Sequence, residues 1–168
     1  ILGIRTLLKK HRGEVLRYAL LSGHYRSSLS WSGELIQQAK SSLDSLYQTL
    51  RDHSETAALG SAPIDSSLEC DHEFELALCD DLNTPKALAA LHRISDELRN
   101  AEDDQSALRK RNNLIQAGSL LGLLEDDPEA YFKRSVGSET NEALSESKIE
   151  SLIEERNQAR ADRNFDLA

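Results

Sequence analysis

The chain has 168 residues, of which 20 are basic and 29 acidic, and its formal net charge is −9. Charged residues are abundant while glycine and proline are scarce, a composition typical of a helical soluble protein and unfavourable for a large sheet. The sequence contains no apolar run long enough to cross a membrane, no signal peptide and no methionine, so we expect a fragment of a longer cytoplasmic protein.

The charge is unevenly distributed along the chain. Residues 1–31 carry a net charge of +5 and the remainder carries −14. The basic residues of this segment are Arg5, Lys9, Lys10, Arg12, Arg17 and Arg26, against Glu14 alone. A basic end on an acidic chain can meet a phosphate backbone, but an acidic solvated surface explains the overall charge equally well.

The two cysteines, Cys70 and Cys79, predict neither a disulfide nor a metal site. On one helix their Cα atoms would lie about 13 Å apart at a rise of ~1.5 Å per residue, beyond the reach of a disulfide. The five histidines are scattered rather than set at metal-ligand spacing. We therefore expect free thiols and no metal bound by this chain.

Two short helices are predicted at the start of the chain. Thr6 can cap the first helix, and Gly13 is expected to break it. The run 14–22 has one apolar helical face, and Gly23 stands where a left-handed C-terminal cap belongs. A polar segment follows, with His24, Tyr25, Arg26 and the only tryptophan, Trp31.

A long amphipathic helix is predicted from Gly33 to Asp52, with Ser32 as its N-cap. Its apolar positions form one continuous stripe that must pack on other helices: Leu35, Ile36, Ala39, Leu43, Leu46, Tyr47 and Leu50. Residues 53–69 mix Ser, Ala, Gly and Pro without a helical period and are predicted to be a linker.

Three further helices are predicted before residue 122. The first runs from Cys70 to Cys79, the second from Pro85 to about Asn100 with Thr84 as its cap, and the third from about residue 105 to Leu121. Asp80 and Asp81 are interpreted as acids beside a helix N-terminus rather than as a catalytic pair. Gly122 is expected to end or bend the third helix.

The last part of the chain begins with Pro128, which can start a short helix through Phe132. Residues 135–147 are polar and aperiodic and are predicted to be a second linker. An amphipathic helix over 148–160 and a turn at 162–165 follow.

Four collinear stretches resemble the cysteinyl-tRNA synthetases. Residues 16–32, LRYALLSGHYRSSLSWS, are similar to the family's "VRYFLLSGHYRSPLNYS", with Ala19, Ser28 and Trp31 as departures. Residues 78–85 are similar to its "MDDDFNTP", residues 121–132 to its "LGLL…DPEAFL", and residues 149–165 to its "IERNAARKAKDWAxAD". Phe165 stands where the family often has tryptophan.

The resemblance implies an all-α protein: an antiparallel helical bundle of DALR type, a preceding connector helix pair and the start of a small anticodon-binding domain. The implied divisions are a connector at 1–31, the bundle at 32–134, the linker at 135–147 and the truncated anticodon-binding domain at 148–168. The implied parent is a cysteine–tRNA ligase that uses ATP and carries zinc in its catalytic domain. The "HIGH" and "KMSKS" signatures of that domain are absent from this sequence. We therefore expect no catalytic residues, no cofactor and no ligase activity in this fragment alone.

Contact with tRNA is the role that the resemblance leaves to this fragment, with its own catalytic domain as the other partner and a monomeric state. The candidate residues are Arg160, Phe165, Arg163 and Arg156, in that order. Arginine can pair with phosphate and an aromatic ring can stack on an unpaired base. From the residues alone, pairing of the arginines with Glu154, Glu155 and Asp162 and anchoring of a helix by Phe165 explain them better.

Three alternatives remain open at this stage. His24, Tyr25 and Arg26 could contact tRNA, or join the catalytic domain to the bundle. The whole chain could be a free-standing helical module that binds tRNA or protein without catalysis. A related ligase that joins cysteine to a sugar amine fits less well, because it resembles the synthetase mainly in the catalytic core.

Overall fold

The computed structural model describes residues 3–55 and 70–133, together with Glu154. These residues contain helices and no strand, which confirms the predicted all-α class. Seven helices have described bounds: α1 (Ile4–Leu8), α2 (Gly13–Leu21), α3 (Gly33–Asp52), α4 (His72–Cys79), α5 (Thr84–Arg99), α6 (Asp104–Leu120) and α7 (Pro128–Lys133). None of them is long and apolar enough to cross a bilayer.

The first two helices form where the sequence predicts them, but two of their boundary residues were misassigned. Thr6 lies inside α1, and the N-cap position belongs to Gly3, which offers no side chain to the free amides. Gly13 does not break α1 but is the first residue of α2. The extended backbone that separates the two helices lies at Arg12. The prediction that Thr6 caps α1 is therefore wrong.

Gly23 has a different role from the one predicted. The C-cap of α2 is Ser22, in right-handed backbone, and Gly122 is the one described glycine with a positive φ. A Cβ atom on Gly23 would lie 2.8 Å from Cδ1 of Leu29. Gly23 therefore lies against the Leu29 side chain of the segment after α2, and its backbone is not left-handed.

The long amphipathic helix is confirmed. The Leu35 amide donates to Oγ of Ser32 at 3.2 Å, so Ser32 is the N-cap of α3. The predicted stripe is buried except at its first member, Leu35, which is half-buried and packs against the core.

The cap of α5 lies one residue earlier than predicted. The Lys86 amide donates to Oδ1 of Asn83 at 3.2 Å, so Asn83 is the cap and Thr84 is the first helical residue. Asp81 and Leu82 have φ values of 53° and 52°, and this left-handed pair turns the chain so that the amide side chain reaches the helix end. Pro85 lies in the first turn, as predicted.

A glycine-based cap ends α6, as predicted. Gly122 has φ +65°, its amide donates to the Ser119 carbonyl at 2.9 Å, and the Leu123 amide donates to the Gly118 carbonyl at 2.8 Å. This pair of bonds is a Schellman motif. It directs Leu123 and Leu124 into the core, where both are buried.

One hydrophobic core joins the helices. α5 packs on α4, on α6 and more lightly on α3, while α3 also packs on α2 and α7. Because only residues 100–103 connect α5 to α6, these two helices are antiparallel neighbours. Fully buried members of the core include Leu43, Leu46, Phe74, Leu91, Ile94, Leu98 and Leu114.

A buried polar contact crosses this core. Oη of Tyr47, a fully buried side chain, donates to both carboxylate oxygens of Glu14 at 3.0 and 3.1 Å. The Leu124 amide donates to Glu14 at 2.6 Å, and the Asp126 amide donates to Oη of Tyr47 at 3.2 Å. Burial raises the pKa of Glu14 above its ordinary value despite these bonds. The contact connects α2 and α3 to the segment that follows α6.

Tyr131 of α7 extends the same contact. Its ring stacks on that of Tyr47 with centroids 3.7 Å apart, and its Oη donates to Asp44 at 2.6 Å. The Arg12 guanidinium lies 3.9 Å from the Tyr131 ring centroid and donates to the Tyr131 carbonyl and to Asp126, each at 2.7 Å. We refer to Arg12, Glu14, Tyr47, Asp126 and Tyr131 as the polar knot.

The chain divides into two compact units, Ile1–Lys133 and Arg134–Ala168. The predicted divisions at residues 31, 134 and 147 stay predictions, although α2 shares its core with the bundle helices. Most of the 53–69 linker and all of the 135–147 linker lie outside the described residues.

Substitution of Gly122 by alanine should destabilise the fold. A non-glycine residue at this φ costs about 1–2 kcal/mol, and its Cβ would also clash with Nη1 of Arg17. The matched control is Gly33→Ala, where no atom lies within 4 Å and φ is not positive, so stability should change by less than about 0.5 kcal/mol. Urea unfolding measures both variants, and equal effects would contradict the assignment.

Stability should also fall when His92 is protonated. Burial lowers the pKa of His92 below its ordinary value of 6.5, and its Nε2 lies 2.8 Å from Oη of Tyr18. The neutral ring is favoured in the folded state, so this contribution is complete above pH 6.5 and is lost as the pH falls through the lowered pKa.

The measurement is urea unfolding of the wild type and of His92→Gln at pH 7.5 and at pH 5. We expect the wild type to lose more stability than the variant between these two conditions. An identical loss in both proteins would contradict the coupling of His92 to folding.

Candidate nucleic-acid interface

The four predicted contact residues lie outside the described part of the chain. Arg156, Arg160, Arg163 and Phe165 therefore stay predictions, without a structural test. Glu154, in the same predicted helix, is helical and exposed.

Half of the basic side chains of residues 1–31 are bound within the protein. Arg12 belongs to the polar knot, and its side chain is 15% exposed. Arg17 donates to the Gly122 carbonyl and supports the end of α6. Arg26 donates to Asp81 at 3.1 Å. These contacts show that the +5 charge of this segment overstates the positive charge that a phosphate backbone could meet.

The other three cations are free in the described part of the chain. Arg5 lies on α1, and Lys9 and Lys10 follow it directly. All three residues are exposed, and no hydrogen bond or ion pair engages their side chains among residues 3–55 and 70–133. Lys9 is the C-cap residue of α1 and Lys10 follows it, at the helix end where positive charge is favoured. Among the basic residues of the first segment, these are the ones that can approach an anionic partner.

Tyr25, Arg26 and Asp81 form an exposed hydrogen-bonded cluster. Oη of Tyr25 donates to Asp81 at 2.8 Å, and Nε of Arg26 donates to Oη of Tyr25 at 2.7 Å. His24 stacks on the Tyr25 ring with centroids 4.9 Å apart. The bond to Asp81 raises the pKa of Tyr25. The cluster fixes the segment after α2 against the turn between α4 and α5.

This cluster refines the interpretation of Asp80 and Asp81. Asp80 is the C-cap residue of α4, and Asp81 is held at φ 53° where its carboxylate accepts from two side chains. The structure thus places Asp80 at the C-terminal end of α4 and pairs Asp81 with the segment after α2, while the N-terminus of α5 is capped by Asn83. The two residues that donate hydrogen bonds to Asp81 precede it by 56 and 55 positions in the chain. Local sequence spacing therefore could not predict these bonds.

No group of three or more His, Cys, Asp or Glu side chains among the described residues could hold a metal ion. Cys70 and Cys79 are free thiols, as predicted, and burial raises the pKa of Cys70. What the described residues present is a rigid helical scaffold with a few exposed cations and one exposed aromatic cluster.

Comparison with known families agrees with this architecture. Residues 73–125, which extend from α4 to just beyond α6, match the model of the DALR domain. Residues 73–125 of this helical bundle are therefore of the DALR class.

Curated relatives identify the family. The chain is 44% identical over 162 residues to a cysteine–tRNA ligase of Xanthomonas campestris pv. campestris, covering 96% of this chain and 33% of the relative. It is 42% identical over 165 residues to that of Phenylobacterium zucineum, covering 96% and 33%, and 41% identical over 170 residues to that of Tolumonas auensis, covering 98% and 35%. The chain belongs to the cysteine–tRNA ligase family and matches the C-terminal part of its relatives. It spans about a third of their length.

Substitution of a bound basic residue should lower the free energy of unfolding more than substitution of a free one. Arg12→Ala should cost about 2 kcal/mol or more, because it removes the half-buried donor to Asp126 and to the Tyr131 carbonyl together with the contact on the Tyr131 ring. Arg5→Ala, at an exposed position, should stay within about 0.5 kcal/mol of the wild type. Thermal and urea unfolding measure both, and an Arg12 variant as stable as the Arg5 variant would contradict the assignment.

Proposed function

We propose that this chain is the tRNA-binding C-terminal part of a cysteine–tRNA ligase, an enzyme that attaches cysteine to tRNA(Cys) with ATP. The observation that carries this proposal is the 40–44% identity to cysteine–tRNA ligases over 96% of the chain. The DALR bundle supports it, because such a bundle in this family lies on the anticodon side of the enzyme.

The proposal divides the work of the enzyme between two parts. Catalysis, with ATP and zinc, belongs to the part of the relatives that this chain does not cover. This chain contributes the positioning of tRNA and a contact with that catalytic part. We further propose that the protein acts as a monomer in the cytoplasm.

The described bundle fits the role of a rigid spacer. α3 has 20 residues and is therefore about 30 Å long, and one face of it is buried along its length. The polar knot fixes its middle to α2 on one side and to α7 on the other.

Within this proposal, Arg160, Phe165, Arg163 and Arg156 recognise the tRNA. Arginine binds phosphate and stacks on bases, and an aromatic side chain gives an unstacked base a platform. Arg5, Lys9 and Lys10 supply sequence-independent attraction to the phosphate backbone, since they are the unbound cations of the first segment.

The test is binding of labelled tRNA(Cys), against a non-cognate tRNA, at 50 and 200 mM salt. The variant is Arg160→Ala with Phe165→Ala, for which we expect a loss of cognate affinity of about tenfold or more. The matched control is Arg51→Ala with Phe132→Ala, an exposed arginine–phenylalanine pair on the bundle whose guanidinium lies 5.5 Å from the ring centroid. The control should bind as the wild type does.

The outcomes separate the roles of the two regions. Cognate preference that disappears in the first variant alone supports recognition by residues 149–168. Weak binding that is equal for both tRNAs and falls steeply with salt would contradict that assignment and leave only backbone contacts. No binding at 50 mM salt would contradict tRNA binding by this chain.

A further inference from the structure

We propose that the exposed cluster where the segment after α2 meets the turn between α4 and α5 binds one unpaired nucleotide of the tRNA. We refer to His24, Tyr25, Arg26 and Asp81 as the Tyr25 cluster. The inference rests on the proposed function for the identity of the RNA, and it adds a second contact site to the one proposed at residues 149–168. The observation that carries it is a fixed aromatic ring beside a cation and a carboxylate that both have unused hydrogen-bonding atoms.

The turn that carries Asp81 is strained. Asp81 and the next residue, Leu82, have φ values of 53° and 52°, in the left-handed region. Aspartate tolerates this region, but a leucine there is an outlier, and Leu82 is also 59% exposed. Strained backbone of this kind is concentrated at binding sites.

The exposed ion pair of the cluster does not account for this strain. Arg26 and Asp81 are 3.1 Å apart, and their side chains are 67% and 48% exposed. An ion pair so exposed contributes less than two left-handed residues cost. The Asn83 cap that the turn makes possible offsets part of the difference. We attribute the remainder to the presentation of Asp81 to a ligand.

Two polar atoms of the cluster are left for a ligand. The hydrogen bonds that Tyr25 and Arg26 donate to Asp81 both end on its Oδ1. Arg26 uses its Nε and Nη2 for the bonds to Tyr25 and Asp81. Within residues 3–55 and 70–133, Oδ2 of Asp81 and Nη1 of Arg26 have no hydrogen-bond partner. The cluster therefore offers one acceptor and one donor on neighbouring side chains.

An aromatic stack lies beside these atoms. His24 stacks on the Tyr25 ring with centroids 4.9 Å apart and planes at 27°, and Tyr25 is still 59% exposed. The bond from the Tyr25 hydroxyl to Asp81 holds the ring in place. A ring fixed in this way loses little conformational freedom when a base stacks on it. Stacking also tolerates any base, since every base has a π face.

A ribonucleotide matches the three elements of the cluster. Its base can stack on Tyr25, its ribose 2′-hydroxyl can donate to Oδ2 of Asp81, and its phosphate can accept from Nη1 of Arg26. The base must be unpaired, because neighbouring bases cover its faces inside a helix. Asp81 balances the charge of Arg26, so the cluster favours a nucleotide over a bare anion.

The experiment measures the binding of labelled tRNA(Cys) to the chain at 50 and 200 mM salt. Tyr25→Leu removes the ring, Tyr25→Phe keeps the ring without its hydroxyl, and Arg26→Ala removes the cation. The matched control is Phe132→Leu, since Phe132 is another exposed ring with an arginine beside it. The guanidinium lies 5.3 Å from the ring centroid for Arg26 and Tyr25, and 5.5 Å for Arg51 and Phe132. The melting temperature is measured for each variant.

Tyr25→Leu should weaken binding about tenfold at both salt concentrations, because stacking does not depend on net charge. Tyr25→Phe should stay within about threefold of the wild type, since it keeps the ring. Arg26→Ala should reduce the slope of log affinity against log salt concentration by about one, because it removes one phosphate contact. Phe132→Leu should bind as the wild type does. Each substitution should shift the melting temperature by less than about 3 °C, since the positions are exposed.

Equal binding of tRNA by Tyr25→Leu and by the wild type would overturn the proposal. With a melting temperature lowered by more than about 5 °C, that result would show a purely structural cluster, and with unchanged stability it would leave the cluster to a protein partner. An equal loss of affinity in Tyr25→Phe and Tyr25→Leu would also overturn it, because the hydroxyl rather than the ring would then matter. Absence of tRNA binding by the unmodified chain at 50 mM salt would instead contradict the proposed function, and this inference with it.

Discussion

The hydrogen bonds from Tyr47 to Glu14 are the constraint on which the described structure depends. Tyr47 is fully buried and Glu14 is half-buried, and burial raises the pKa of the Glu14 carboxyl and of the Tyr47 hydroxyl. The carboxylate is tolerated there because Tyr47 and the Leu124 amide both donate to it. These bonds join residues that are 33 and 110 positions apart. Removal of Glu14 would leave the buried Tyr47 hydroxyl without this acceptor, which costs more than the bond itself contributes.

Several features of the fold follow from that contact. The segment after α6 must bring the Leu124 amide to Glu14, and the left-handed cap at Gly122 sets its direction. Tyr131 can then stack on Tyr47, and Arg12 can cover Tyr131. The basic first segment is consequently divided. Arg12 and Arg17 stabilise the fold, while Arg5, Lys9 and Lys10 stay free in the described part of the chain.

Local features of the fold could be predicted from the sequence, because they depend on neighbours in the chain. The Ser32 cap, the buried stripe of α3 and the end of α6 at Gly122 are of this kind. The cap of α5 was placed one residue late, at Thr84, because the left-handed turn at Asp81 and Leu82 is not evident from a Thr-Pro signal. Threonine is a residue type that favours N-caps, but α1 begins before Thr6, at Ile4, and includes it.

The long-range contacts could not be predicted. Tyr47 was counted as one apolar member of a stripe, and its hydroxyl gave no indication that Glu14 would be its acceptor. From the sequence, Glu14 enters only the net charge of residues 1–31. A carboxylate directly before Val15 and Leu16, on a buried helical face, is a weak signal of a buried partner. Arg12 was likewise read as a surface cation. The predicted tRNA contacts at 156–165 depend on the family resemblance, and the described residues do not test them.

Hydrogen–deuterium exchange of the chain with and without tRNA(Cys) tests the proposed tRNA contact at residues 149–168. We expect slower exchange in residues 149–168 on binding, with α3, α5 and α6 unchanged. Unchanged exchange in residues 149–168 when the chain is saturated with tRNA(Cys) would place the RNA elsewhere and would contradict the proposed contact.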